Sequence, residues 1–264
     1  MYVHILYKHK NQEIMAIKIT SKEAQATGIF AGGAILENKP IGFPQDNGEQ
    51  KPFSNLFYWA NACSDNGGEI GEHPHKMFEI MSFVLEGEIE HYDSKLNGWL
   101  SLKAGDIQII RSRNGISHAE RLRENSRIFQ IWFDPNVRES MLKEASYDDY
   151  KAGGFPVSEK DGVSVKNYVG SGGPITIDSE GVGISEISLT DERHTLKLDT
   201  SKIHSFYLLE GSLELNGDLV KEDDFVVVEN ENEIEFEHVE GARLFKISVP
   251  RKLTYKSYIE LVNN

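Results

Sequence analysis

The stretch His73-Pro74-His75-Lys76-Met77-Phe78-Glu79 carries two histidines spaced i, i+2. Side chains of an extended strand alternate between its two faces, so both imidazoles lie on the same face. A β-prone run from Ile80 to Leu85 follows directly and closes with Glu86-Gly87. The stretch therefore predicts two potential metal ligands on one face of a strand, within a β-rich region.

A second pair with the same spacing occurs in His118-Ala119-Glu120, 43 residues after His75. One such pair is more often two half-exposed histidines on a strand, but two pairs in β context favour a metal site. Three imidazoles and one carboxylate suit Fe(II), Mn(II), Ni(II), Zn(II) or Cu(II) and do not choose among them. We predict that one divalent ion is held inside a small β-barrel by His73, His75, His118 and Glu120.

Three further residues near this region have competing interpretations. Glu79 shares the histidine face if the strand runs straight, and is then a further ligand or a support for one. A bulge or turn at Lys76-Met77 removes that inference and leaves Glu79 as an acceptor for a backbone or arginine partner. His91 is predicted at the exposed end of a strand, and Cys63 is predicted to be a small core residue rather than a nucleophile.

Composition limits the classes of protein that the chain can be. Its 264 residues suffice for one large domain or two of ordinary size, and 39% apolar with 10% aromatic residues is typical of a globular protein. A formal charge of −14 argues against a DNA-binding surface but permits a basic protein partner. The single cysteine excludes an intramolecular disulfide, and no apolar run reaches signal-peptide or membrane-spanning length. We expect a soluble cytoplasmic protein that does not associate with a membrane.

The second half of the chain repeats the first. The run Phe83–Glu90 matches Tyr207–Glu214, with the Glu-Gly pairs offset by 124 residues, and Lys103–Ile110 matches Lys221–Val228, offset by 118. A third segment around Leu244–Ile247 corresponds to the strand at 129–133. Three β segments in the same order predict duplicated β-barrels.

The second copy lacks the ligand set. At these offsets the residues opposite His73, His75, His118 and Glu120 are, in order, Lys197, Asp199, Phe236 and His238. The remaining histidines of that half lack the paired spacing and are predicted to be surface or locally hydrogen-bonded residues: His194, His204 and His238. The N-terminal half is therefore the predicted reaction centre.

The fold class that follows is all-β, with two barrels joined by a partly helical arm. The arm is rich in Gly, Pro and Tyr and includes a short helix predicted near 138–144. The predicted boundaries are 1–135 for the metal-binding barrel, 136–170 for the connecting arm and 171–264 for the barrel without ligands.

The sequence resembles the pirin family of bicupins. His73–Glu79 followed by Phe83–Ser94 is similar to that family's first cupin motif, and Gly105–Gln108 with Asn114–Glu120 is similar to the second. The detailed match covers residues 67–133. It implies two jelly-roll barrels, with one iron or related metal at His73, His75, His118 and Glu120 and an empty second cupin.

The chain departs from the family at two places in these motifs. Pirins usually have Arg-Gly where this chain has Lys76-Met77. Arg113 and Asn114 replace the usual small residue and arginine. The loss of a glycine close to the ligand strand implies a different pocket shape.

Members of that family include quercetin 2,3-dioxygenases. The resemblance therefore implies a small-molecule substrate, a flavonol or a related enolic or aromatic compound, that reacts with O2. The implied cofactor is one divalent ion, iron first, with Mn, Ni, Zn, Cu or Co as alternatives. Glu120 is then the candidate general base, if it leaves the metal or binds it loosely.

Two other functions stay open at this point. One is a metal- or redox-dependent regulatory binding protein, similar to a nuclear family member that acts as a transcription cofactor. The other is a different cupin reaction, such as an isomerisation. Fold alone does not choose among them.

Overall fold

The computed structural model describes residues 16–190 and 193–263, and β-strands dominate this part of the chain. Its helices are short: α1 (Val137–Ser140), α2 (Tyr258–Val262) and three 3-10 turns at Lys22–Ala24, Ala31–Gly33 and Ala152–Gly154. None of the helices in the described ranges could span a membrane. The prediction of an all-β fold is confirmed.

Strands of the first half alternate buried and exposed side chains, or are buried on both faces where a sheet is covered. In chain order they are β1 (Ala16–Thr20), β2 (Ala26–Phe30), β3 (Ile35–Ile41), β4 (Leu56–Ser64), β5 (Gly68–His75), β6 (Glu79–Glu86), β7 (Glu88–Asp93), β8 (Gly98–Lys103), β9 (Ile107–Arg111), β10 (Ile116–Leu122), β11 (Ser126–Phe133) and β12 (Ser146–Tyr150). The second half continues with β13 (Val157–Lys160), β14 (Val163–Val169), β15 (Gly183–Leu189), β16 (Arg193–Lys197), β17 (Lys202–Leu215), β18 (Asp218–Lys221), β19 (Phe225–Glu229) and β20 (Glu233–Pro250).

Two antiparallel sheets form the N-terminal barrel. The larger has the order β12-β9-β6-β11-β4-β3-β2, and the smaller has the order β5-β10-β7-β8. Apolar side chains of both sheets meet in one cluster between them, including Val84 and Ile128 from the larger sheet and Ile89 and Leu122 from the smaller. Burying each such side chain contributes about 1.5–3 kcal/mol. The smaller sheet carries the histidine pairs.

The C-terminal barrel repeats this arrangement strand for strand. Its large sheet has the order β1-β19-β17-β20-β15-β14-β13, while β16 pairs with β20 and β18 pairs with β17. The long strand β17 corresponds to β6 and β7 of the first barrel, and the long strand β20 corresponds to β10 and β11. Its interior is an apolar cluster that includes Phe206, Leu208, Phe236 and Leu244. The predicted bicupin duplication is confirmed.

Strand register changes one detail of the duplication. His73 is the ladder partner of His118 on β10, and His194 is the ladder partner of Phe236 on β20. The counterpart of His73 is therefore His194. The sequence offset matches His73 with Lys197, and that prediction is wrong. Phe83 lies 10 residues after His73, whereas its counterpart Tyr207 lies 13 residues after His194, so the offset changes within the repeat.

The two units are not continuous segments of the chain. One takes the described residues up to Lys22 with 156–173 and 182–252, and the other takes 23–155 with 174–181 and the described residues from 253 onward. Strand β1 belongs to the C-terminal barrel because it pairs with β19 along its whole length. This division differs from the predicted boundaries 1–135, 136–170 and 171–264, which assume uninterrupted domains. The first 15 residues of the predicted domain 1–135, and Asn264, lie outside the described residues.

The predicted arm, residues 136–170, contains three strands. It contains α1 and one 3-10 turn, but β12 pairs with β9 in the first barrel, and β13 and β14 extend the sheet of the second. Its Gly and Pro residues lie at the ends of these elements, where they interrupt the chain between strands.

Candidate metal centre

Strands β5 and β10 bring the predicted ligands together. They are antiparallel neighbours in the smaller sheet, with His73 opposite His118 and His75 opposite Ile116. Residues paired across two strands share a face, so three imidazoles enter the barrel from one side. The register shifts between His118 and Glu120, which marks a bulge beside the site.

The three imidazoles converge. Ring centroids are 4.5 Å apart for His73 and His118, 4.7 Å for His73 and His75, and 4.7 Å for His75 and His118. One ring nitrogen from each lies within 4.8 Å of the other two. Such a cluster places three nitrogen donors around one point, which is the arrangement that a divalent ion needs.

Local hydrogen bonds aim the donors inward. Nδ1 of His73 lies 2.8 Å from the carbonyl oxygen of Gly71. A carbonyl only accepts, so Nδ1 carries the proton and Nε2, 3.1 Å from Nε2 of His118, keeps its lone pair. Nε2 of His75 and Nδ1 of His118 are buried and have no hydrogen-bond partner among the described residues. The donor set therefore fits a metal ion.

Burial keeps two of the imidazoles neutral. It lowers the pKa of His75 to about 3, with a further contribution from neighbouring His118 and His73. Burial likewise lowers the pKa of His118 to about 3, aided by His73 and His91. At neutral pH both rings are unprotonated, which metal ligation requires.

Glu120 stands beside this cluster rather than within it. Ser82 Oγ donates a hydrogen bond to Oε1 at 3.1 Å, and Gln130 Nε2 donates to Oε2 at 2.6 Å. A Glu120 oxygen lies within 4.8 Å of donor nitrogens of His118 and His91. The structure thus places three of the four predicted ligands in one group, and Glu120 in an adjoining group that shares His118.

His91 is a site residue that the sequence analysis missed. It is fully buried, whereas an exposed strand end was predicted, and that prediction is wrong. On β7 it lies directly opposite Glu120, and Asp93 lies opposite His118. The alternation of Ile89, His91 and Asp93 on one buried face of β7 was the signal that could have identified it.

Glu79 does not belong to the centre. Its carboxylate accepts hydrogen bonds from the backbone of Asp178 (2.7 Å) and from the backbone and hydroxyl of Ser179 (2.7 and 2.6 Å), and Arg111 lies 3.8 Å away. Burial raises its pKa against these hydrogen bonds. Of its two interpretations, the acceptor for backbone and arginine partners is the one that the structure shows.

The turn that removes Glu79 from the histidine face is at Met77. Its φ is 76°, in the left-handed region that favours glycine, and pirins usually have glycine there. A non-glycine residue in this conformation costs about 1 kcal/mol. The chain keeps the turn in spite of its side chain, so β5 and β6 still enter different sheets.

The other residues singled out in the sequence are outside the centre. Cys63 is half-buried on β4. In the second barrel, His204 is buried and bonds the carbonyl oxygen of Asp199 at 3.0 Å, as one of the two predicted alternatives, and His194 is also buried rather than at the surface. The side chain of His238 lies outside the described part of the chain.

An aromatic wall adjoins His75. The Trp132 ring is 4.9 Å from the His75 ring and is half-buried. Around it pack the other rings of the wall, with centroid distances of 5.4 to 6.5 Å to Trp132: Phe43, Phe57, Tyr58 and Phe78. Tyr258 of α2 closes the wall against Phe57 and Phe78. The side of the centre next to His75 is therefore bordered by aromatic rings.

Comparison with known proteins agrees with this architecture. The pirin family model matches residues 39–133, the segment that contains every residue of the centre. These residues resemble a pirin domain. The pirin resemblance is thereby confirmed. Over 214 residues the pirin-like chain is 29% identical to a Pseudomonas aeruginosa protein named "Putative quercetin 2,3-dioxygenase", covering 76% of this chain and 86% of the relative.

Two other comparisons cover the motif region and the whole fold. The chain is 42% identical over 72 residues to quercetin 2,3-dioxygenase of Escherichia coli K12, covering 26% of this chain and 31% of that protein. The crystal structure of the bacterial pirin YhhW from Escherichia coli in complex with nickel(II) matches with a TM-score of 0.72 at 20% identity, covering 90% of this chain and all of that one. The pirin-like chain thus shares the bicupin fold with a metal-containing pirin.

Proposed function

We propose that this pirin-like chain is a metal-dependent dioxygenase that opens a flavonol of the quercetin type, or a related enolic or aromatic substrate, with O2. The observation that carries the proposal is the convergence of His73, His75 and His118 beside the Glu120 carboxylate. The names of the relatives support an oxidoreductase that acts on a small molecule.

In this proposal the three imidazoles hold one divalent ion, with Glu120 as the fourth donor. Iron is the first choice because the resemblance to the family implies it, and Mn, Ni, Zn, Cu or Co suit the same donors. Bound there, the ion supplies Lewis-acid and template chemistry, since it acidifies a substrate hydroxyl and aligns the substrate with O2.

Glu120 is the proposed general base. Its carboxylate is buried and adjoins the imidazole cluster through His118, so it lies where an enolic hydroxyl directed at the cluster would release its proton. The hydrogen bonds from Ser82 and Gln130 hold the acceptor in place. His73 and His75 are half-buried whereas His118 is buried, so the β5 side of the cluster is the side proposed to be open to substrate.

The aromatic wall supports a flat substrate. Trp132 borders His75, and aromatic faces stack on one another with a gain of about 0.5–1.5 kcal/mol beyond area burial. A flavonol that stacks there brings its enolic edge towards the imidazoles. The flavonol itself supplies the electrons that reduce O2, and carbon monoxide leaves as the heterocycle opens, so no external reductant is needed.

The test is an aerobic assay of purified, metal-quantified protein with quercetin. The wild-type chain is expected to consume quercetin and O2 in equal amounts and to release carbon monoxide. His75→Ala removes a buried donor, so both metal content and turnover should be lost. Full turnover in a metal-free variant, or no turnover by wild type with metal bound, overturns the proposal.

A further inference from the structure

Glu120 is held by two hydrogen-bond donors from the opposite sheet. Ser82 on β6 and Gln130 on β11 are ladder partners, so their side chains leave the sheet side by side. Each binds a different carboxylate oxygen, at 3.1 Å to Oε1 and 2.6 Å to Oε2. The carboxylate of β10 is therefore tied across the barrel interior.

The Gln130 amide has a fixed orientation. Its Oε1 accepts a hydrogen bond from Nε1 of Trp132 at 3.4 Å, and an indole N–H can only donate. The amide NH2 must then point at Glu120, where it donates to an ionisable carboxylate that gains from such a bond. Trp132, which borders His75, thus fixes the donor that binds Glu120.

These hydrogen bonds hold Glu120 away from part of the imidazole cluster. A Glu120 oxygen reaches within 4.8 Å of donor atoms of His118 and His91 but does not join the group formed with His73 and His75. For Glu120 to act as a full fourth ligand, its carboxylate has to turn towards that group. The Ser82 and Gln130 hydrogen bonds oppose that turn.

We propose that Ser82 and Gln130 are positioning residues that compete with the metal for the Glu120 carboxylate and make it a labile ligand. The metal then depends mainly on the three imidazoles. The role of the released Glu120 as the base rests on the proposed function, whereas the competition for the carboxylate does not.

In the second barrel, Ser82 and Gln130 are replaced together with the carboxylate that they bind. The ladder partners at the corresponding positions are Phe206 on β17 and Lys246 on β20. Phe206 is buried in the apolar cluster, and the ammonium of Lys246 lies 5.7 Å from its ring. Where the carboxylate is absent, the hydroxyl and the amide that bind it are absent too.

Removal of the Gln130 amide tests the proposal, because the proposal predicts that Ni²⁺ affinity rises rather than falls. Gln130→Met keeps the side-chain size but removes the donor, so Glu120 should turn to the metal. Apoprotein titrated with Ni²⁺ by calorimetry is expected to bind about tenfold more tightly than wild type. If the two residues instead support Glu120 as a ligand, affinity should fall 10- to 100-fold, and that result overturns the proposal.

A double-mutant cycle assigns the change to Glu120. Glu120→Gln in the wild-type background should weaken Ni²⁺ binding by only a few fold, whereas in the Gln130→Met background it should cancel the whole gain. Electron paramagnetic resonance of the Cu²⁺-loaded protein gives a second readout. In Gln130→Met the spectrum should still show three coupled nitrogens, and its g and copper hyperfine values should shift towards those of a site with an added oxygen ligand. Equal effects of Glu120→Gln in both backgrounds contradict the competition.

Gln108→Met is the matched control. Gln108 is the other ladder partner of Ser82, is buried, and its amide donates to Asp149 at 2.7 Å instead of Glu120. Its Ni²⁺ affinity should equal that of wild type, and a gain equal to that of Gln130→Met would mean general loosening and reject the proposal. Ser82→Ala is a smaller change and should shift Ni²⁺ affinity in the same direction as Gln130→Met. It replaces Gln130→Met in the test if Gln130→Met folds poorly.

Turnover separates the two proposals. If the dioxygenase function holds, Gln130→Met should bind metal more tightly and yet turn over quercetin at least tenfold more slowly, because the base is withdrawn to the metal. If wild type shows no turnover, the proposed function fails while the Ni²⁺ cycle still decides whether Ser82 and Gln130 compete for Glu120.

Discussion

The two barrels have one strand order and opposite interiors. In the first, the ladder partners Ser82 and Gln130 face Glu120 on β10, whereas in the second their counterparts are Phe206 and Lys246. His118 on β10 corresponds to Phe236 on β20, and the Phe206 and Phe236 rings pack edge to face at 6.1 Å. The same backbone thus encloses either a set of polar donors or an apolar core.

The difference extends to the aromatic wall. Trp132 is the ladder partner of Tyr58 in the first barrel, and the corresponding partners in the second are Ser248 and Gly183. Leu213 and Leu215 are buried on β17 where the first barrel has the polar face of β7. Polar donors and an aromatic wall therefore occur together in one barrel and are both replaced in the other. The sheet sets positions, and a few side chains set chemistry.

The matched histidines His73 and His194 give the largest expected contrast. His73 is the ladder partner of His118 in the first barrel, and His194 is the ladder partner of the matching residue Phe236 in the second. His73→Ala removes a donor from the cluster and should weaken Ni²⁺ binding about a hundredfold. His194→Ala should leave Ni²⁺ affinity and stoichiometry unchanged. A similar loss in both variants would place a metal in the second barrel.

Trp132→Ser gives the first barrel the residue that the second has. The aromatic wall beside His75 loses its central ring, so the KM for quercetin should rise about tenfold while the metal content stays at wild-type level. Trp99→Ser is the control, because Trp99 lies against Arg121, whose side chain alternates with Glu120 to the other face of β10. An unchanged KM in Trp132→Ser would remove the wall from the substrate site.

Much of the metal centre could be predicted because its signal is local. Two His-bearing i, i+2 pairs in β context identify three converging imidazoles without any knowledge of partners. Ser82 and Gln130 carry no such signal, since they reach Glu120 from the opposite sheet and look like ordinary strand residues. Glu79 was undecided for the same reason, because its partners Asp178 and Ser179 lie about a hundred residues away.

Fold class was predictable and boundaries were not. Repeated β segments imply two barrels, but whether β1 joins one sheet or the other depends on long-range pairing with β19. His91 was missed for a different reason. It was predicted at the exposed end of a strand, although period-two alternation puts it with Ile89 and Asp93 on the buried face of β7.

The smallest expected effect concerns Asp134, for which the second barrel has Pro250 at the corresponding position. Asp134 is buried, accepts a hydrogen bond from the backbone N–H of Tyr258 and lies near Glu260. Burial, with a contribution from Glu260, raises the pKa of Asp134 from 3.8 to about 7 against that hydrogen bond.

Between about pH 4 and pH 7 folded Asp134 therefore holds a proton that the unfolded chain has released. The contribution of Asp134 to stability is present below about pH 4 and is lost as the pH rises to 7. Asp134→Asn mimics the protonated form and should remove this slope, so at pH 8 it should be more stable than wild type by about 1 kcal/mol. Urea unfolding of both proteins at pH 5 and pH 8 measures the difference in the free energy of unfolding. If Asp134→Asn is less stable than wild type at pH 8, the raised pKa of Asp134 is contradicted.

The central claim is that one barrel alone binds a metal, through His73, His75 and His118. Crystals grown with Ni²⁺ and measured above and below the nickel absorption edge test it directly. The anomalous difference map is predicted to show one strong peak per chain, within coordination distance of all three imidazoles. A peak in the second barrel, or a peak that leaves out any of these three histidines, would contradict the account.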